Sequence, residues 1–156
     1  MRLREPPRIK VLEAAGAIAD GRVRIEAEGQ GYVRATVVSS EGDRTYRVVV
    51  REGQGEIRVY SDDNGTKLRG YVGYPIISVL MLRGLLPRDE KVEQALKGVD
   101  WRRLNETYKK YSVVEDIVLS KASSAVPRRA IEAFRDRVMR EIRGKVFVFD
   151  EGLANA

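Results

Sequence analysis

The chain contains neither cysteine nor histidine. Without cysteine there are no disulfides, no thiolate nucleophile and no cysteine-ligated zinc. Without histidine the commonest general base near neutral pH is gone, along with every Ser-His-Asp or Cys-His arrangement and all imidazole metal ligands. Lys, Tyr, Asp, Glu, Ser and Thr remain for chemistry, and no pair of them stands out as an activated constellation. No catalytic residue, cofactor or metal site is therefore expected. Asp62, Asp63 and Asn64 carry oxygens but lack the regular spacing of a calcium loop, and such residues are ordinary in turns.

Long apolar runs are also missing. The longest, YPIISVLML at 74–82, is far short of the roughly 20 residues that cross a bilayer. The opening MRLREPPRIK leads into an amphipathic segment instead of a continuous apolar signal core. A cytoplasmic location is the expectation.

Charge is plentiful. Twenty-nine basic residues, 21 Arg and 8 Lys, stand against 23 acidic ones, a net charge of +6. Dense mixed charge suits a heat-adapted surface laced with ion pairs. Arginine is equally the favoured residue for phosphate contacts.

The 156 residues suffice for one domain with a sizeable core. Residues 8–20 place Ile9, Leu12, Ala15, Ile18 and Ala19 at helical spacing before Gly21. The period then changes to two over 22–28, 32–38, 44–51 and 56–61, with glycine-bearing turns between the segments. Asn64-Gly65 reads as a further tight hairpin turn, followed by a fifth alternating segment at 67–72. From Pro75 the pattern is helical: an all-round apolar helix, then helices over 88–98, 100–111, 112–122 and 127–144, with a short strand at 145–149. The expected fold is α+β: an N-terminal helix, a five-stranded antiparallel meander, and a helical half packed on one sheet face. It forms a single domain over 1–149, with a frayed tail at 150–156.

Strand alternation assigns side chains to faces. Val33, Ala35, Val37, Val48, Val50 and Val59 fall on the core face, and Leu68 and Val72 join them if 67–72 is a strand. The opposite face collects Arg22, Arg24, Tyr32, Arg34, Arg47, Arg51, Arg58, Tyr60, Lys67, Arg69 and Tyr71, with Glu26, Glu28 and Glu56 among them.

Three functions fit. Arg24, Tyr32, Arg34, Arg47, Arg51, Arg58, Tyr60, Lys67, Arg69 and Tyr71 compose a cationic, tyrosine-dotted platform for RNA or single-stranded DNA. Its arginines would neutralise phosphates and its tyrosines would stack on bases. Cross-strand ion pairs account for the same face without a partner. The second reading is an anion or small-molecule site, with or without enzymatic chemistry, at the strand-to-helix corner 67–75. There Lys67, Arg69, Gly73 and Tyr74 lie where a helix begins. The third is a non-catalytic protein that assembles as a homodimer. Trp101, Tyr108 and Tyr111 are read as core.

Overall fold

A computed structural model describes all 156 residues. Helix α1 (Ile9–Ala19) precedes four strands, β1 (Val23–Gly29), β2 (Tyr32–Val38), β3 (Thr45–Glu52) and β4 (Ile57–Ser61). A short helix α2 (Asn64–Lys67) follows, then α3 (Tyr74–Arg83), α4 (Glu90–Ala95), α5 (Trp101–Tyr108), α6 (Tyr111–Ala122) and α7 (Arg128–Arg143). The chain closes with β5 (Phe147–Phe149) and a 3-10 helix (Glu151–Asn155). No helix is long and apolar enough to cross a membrane.

The sheet order is β1-β2-β3-β4-β5. The first four strands form the expected antiparallel meander, but the fifth place is taken by β5, which runs parallel to β4 and makes the sheet mixed. The anticipated strand over 67–72 does not form. Asp63 accepts a hydrogen bond from Thr66 N and caps α2, so Asn64 and Gly65 begin a helical turn where a hairpin was expected. Leu68, assigned to the core by that register, is exposed, and Tyr71 makes only an isolated bridge to Arg4.

Apolar alternation on β2 buries Val33, Ala35 and Val37, and these meet Val48 and Val50 of β3 and Val59 of β4. α3 lies across this face, its apolar perimeter enclosed by the sheet and by α1. α4 and α7 pack on α1 from the far side. Trp101, Ile131, Val138 and Ile142 extend this core through the helical half.

The tail is ordered. The 3-10 helix is capped by Asp150, which accepts from Gly152 N at 2.9 Å, and it lies on the outer sheet face. There Leu153 is buried with Val49 and Tyr60, flanked by Phe149. Residues 150–156 thus cover part of the surface that alternation alone leaves bare. An apolar outward residue on β3 and an apolar residue in the tail bury each other.

Candidate ligand cleft at the strand-to-helix corner

The corner between β4 and α3 is built around a buried carboxylate. Asp63 accepts from Ser61 Oγ at 2.5 Å, Thr66 Oγ1 at 2.9 Å and Thr66 N at 3.1 Å. Thr66 Oγ1 in turn accepts from Gly73 N at 3.1 Å. Residue 73 has no room for a side chain, since a Cβ there would sit 2.7 Å from Thr66 Oγ1 and 2.8 Å from Asp63 Cγ. Burial raises the Asp63 pKa above its ordinary 3.8, against the pull of its hydroxyl and amide donors. This knot fixes the direction in which Tyr71 and Tyr74 leave the backbone.

Both tyrosines face a cleft. Its other walls are α1, Arg22 and the start of β3 on one side, and α5 with the start of α6 on the other. The outer hollow measures about 470 Å³. A second hollow of about 370 Å³, reaching Lys10, Asp63 and Tyr71, adjoins it through Tyr46, Arg69, Tyr74 and Tyr111. Gly16 allows α5 to approach α1, for a Cβ at that position would lie 2.9 Å from Trp101 Nε1. Glu13 stands one turn before Gly16, and Asn105 one turn after Trp101.

Buried polar groups in folded proteins are almost always hydrogen-bonded. Five buried side-chain atoms in this chain have no such partner, and four belong to residues lining the outer hollow: Glu13 Oε2, Arg22 Nη2, Trp101 Nε1 and Asn105 Oδ1. Glu13 Oε2 does have an ionic neighbour, Lys10 Nζ at 2.9 Å, but the alignment falls outside hydrogen-bond geometry. The other three make no hydrogen bond within the protein. Arg22 is anchored by its remaining nitrogens, Nη1 to Val38 O at 2.7 Å and Nε to Asp20 Oδ2 at 3.3 Å, which leaves Nη2 to spare.

The phenols and Lys10 here hold their protons. Burial raises the phenol of Tyr74 to about 12, opposed by the Arg22 guanidinium. Burial likewise raises Tyr71 to about 12, opposed by Lys10. Tyr46 is raised by burial and packs edge-on against Tyr74, with ring centroids 6.3 Å apart. Burial works against charge on Lys10, but the Glu13 carboxylate, with the Tyr71 and Tyr111 phenol groups, outweighs it and lifts its pKa above the ordinary lysine value. Its ammonium sits 4.9 Å from the centre of the Tyr111 ring. At neutral pH the cleft therefore presents neutral phenols and a fixed cation.

Two further cations line the rim. Arg69 and Lys109 are exposed and make no ion pair, whereas Arg102 is held by Asp43 and Glu106. Lys109 is the one non-glycine residue with positive φ, 56°. L-residues seldom adopt this conformation, and where they do it concentrates at working sites.

The residues expected on a single sheet face divide into groups. Arg69, Tyr71 and Tyr74 line the cleft, and so does Arg22. Gly73 lines its inner end, though its N–H is committed to Thr66. Lys67 points away, exposed on α2. On the outer face, Arg47 Nη1 donates to Ala154 O at 2.6 Å, Arg34 Nη1 to Ala156 O at 3.3 Å, and Arg58 pairs with Asp150 at 3.2 Å. Tyr60 is buried beneath Leu153. Arg24 stays exposed and unpaired, and Arg51 lies over the Tyr32 ring at 5.2 Å.

Lys10, Glu13, Trp101, Asn105, Lys109 and Tyr111 were not singled out as binding residues by sequence. One signal was available: Lys10 and Glu13 are charges three residues apart in an otherwise apolar helix, where a polar pair needs a reason. Trp101 and Tyr111, read as core, border the cleft.

A family model described as "Uncharacterised conserved protein UCP014422" matches residues 3–147, and the chain belongs to that family. No curated protein and no solved structure matches it.

Proposed function

We propose that this member of the family binds a small anionic molecule in the corner cleft. One observation carries the reading: four of the five buried polar atoms without a hydrogen-bond partner belong to residues that line this one hollow. A site built to receive a polar ligand keeps such atoms free until the ligand satisfies them, and the hollow's volume falls within the range of small-molecule sites. Charge supports an anion. Arg69 and Lys109 supply unpaired positive charge at the rim and Arg22 Nη2 a further donor, the Lys10 charge being balanced by Glu13, and the raised Tyr71 and Tyr74 phenols donate hydrogen bonds at neutral pH. Tyr71, Tyr74 and Lys10 all hold their protons more tightly than usual, which suits donating hydrogen bonds to a ligand.

The nucleic-acid reading of the outer face draws less support. The tail's carbonyls accept from Arg34 and Arg47, and Tyr60 is no stacking platform while Leu153 covers it. Arg24, Arg51 and Tyr32 make a smaller patch.

Trp101 is the only tryptophan, so its indole N–H gives a single, assigned NMR resonance at the cleft. Titration with a panel of small anions (inorganic phosphate, citrate, sugar phosphates and nucleotides) is expected to move that resonance saturably, and less so at high salt. A panel that leaves the indole unmoved while shifting amides of β2 and β3 would overturn the proposal in favour of the sheet face.

A further inference from the structure

Building on that reading, we infer that the ligand is a nucleotide whose base carries a guanine-type edge, its phosphate at the Arg69–Lys109 rim and its base between the tyrosines. The site has three chemically distinct parts. The rim offers an unpaired guanidinium and an unpaired ammonium, Arg69 and Lys109, the pair of donors that a phosphate dianion takes. The walls are aromatic. Tyr46, Tyr74 and Tyr111 supply ring surface to the same hollow, which suits a flat heterocycle better than a sugar or an aliphatic acid.

The depth of the hollow selects the edge. Glu13 Oε2 and Asn105 Oδ1 are acceptors, while Arg22 Nη2 is a donor, and none has a hydrogen-bond partner in the protein. Glu13 is 4% exposed, and Lys10 Nζ at 2.9 Å from Oε2 balances its charge, which leaves the carboxylate's remaining lone pairs for donors on whatever enters. A guanine edge sets two adjacent N–H groups beside a carbonyl oxygen. A carboxylate takes the two donors side by side, and a guanidinium nitrogen donates to the carbonyl. Adenine turns a lone pair toward the carboxylate where guanine has an N–H, which leaves two acceptors opposed. A free nucleotide and a guanosine phosphate at the end of an RNA chain share this chemistry.

Calorimetric titration with GMP, AMP and guanosine tests it. GMP is expected to bind at least about tenfold more tightly than either of the others, the scale on which unpaired buried groups and lost phosphate contacts discriminate. Arg69→Ala should bring GMP down to the guanosine level, and Glu13→Gln should bring it down to the AMP level. Should Glu13→Gln fail to fold, inosine monophosphate, which lacks the second donor, makes the same comparison on the ligand side and should bind more weakly than GMP. Competition by a short RNA ending in a guanosine phosphate supports the chain-end source, and its absence supports the free nucleotide. Equal binding of GMP and AMP overturns the edge assignment. Absence of GMP binding, with other small anions still shifting the Trp101 indole, overturns the nucleotide class and leaves the cleft reading standing. An indole that no anion shifts removes both.

Discussion

Lys109→Gly is expected to stabilise the fold while weakening the site. Lys109 ends α5 in the left-handed region, φ 56° and ψ 13°, with its N–H donating to Asn105 O at 2.9 Å. That conformation costs an L-residue roughly 1–2 kcal/mol, and glycine is the residue helices most often place there. Glycine gives back part of this gain, about 0.5–1 kcal/mol, through its larger loss of backbone entropy on ordering. The net expectation is a gain of about 0.5–1 kcal/mol, and at this chain length that raises Tm by about 1–4 °C. Affinity should move the other way. The ammonium is an exposed, unpaired rim cation, and losing such a contact to an anion costs about 0.5–1 kcal/mol, a two- to fivefold weaker Kd on the ~1.4 kcal/mol-per-decade scale. Lys109→Ala separates the two effects because it keeps the strained backbone and loses the charge. Thermal melts and anion titrations on both variants make the comparison. A lower Tm for Lys109→Gly than for Lys109→Ala would refute the strain argument, and unchanged affinity in both would remove Lys109 from the site.

Gly73→Ala should be far more damaging than Gly29→Ala, whose Cβ meets nothing within 4 Å. Displacing Asp63 from its three donors costs about 3 kcal/mol or more, so a Tm fall of about 6–12 °C is expected, with little change in the control. Leu153→Ala should lower stability by about 2 kcal/mol, the low end for a buried leucine because its cluster lies at the surface. An unaltered melt would mean that the tail does not pack on the sheet. Tyr71 and Tyr74, raised from 10 to about 12, bind protons more tightly folded than unfolded. Their contribution is fully present below pH 10 and is lost as the pH rises through about 12. Absorbance at alkaline pH should show phenols that ionise late in the native protein, and Tyr71→Phe with Tyr74→Phe should shrink that phase, leaving Tyr46 in it.

The helix–meander–helices order was legible because β2 and the later helices obey single periods without conflict. Val33, Ala35 and Val37 alternate cleanly, and Ile131, Phe134, Val138 and Ile142 keep a helical stripe. The misreadings have local causes. Asn64-Gly65 is a strong hairpin signal, but Asp63 beside it also caps a helix, and the buried Ser61–Asp63–Thr66–Gly73 network decides between them through contacts as distant as seven residues. The tail reads as a polar terminus because one leucine is too little to reveal packing, and its counterpart Val49 looks like noise in an alternating strand. The corner was named as a candidate site from Lys67, Arg69, Gly73 and Tyr74, of which Lys67 lies outside the cleft. Its far walls were not, because Glu13, Arg22 and Asn105 lie up to 92 residues apart in sequence and meet only when α5 packs on α1 at Gly16.

The most direct test is a crystal structure of the protein grown with the tightest-binding member of the anion panel. The expected result is ligand density in the corner cleft, with a ligand acceptor within hydrogen-bond distance of Arg22 Nη2 and the anionic group beside Arg69. Density on the sheet face near Arg24 and Arg51, or a closed cleft in which Arg22, Trp101 and Asn105 bond to one another, would contradict it.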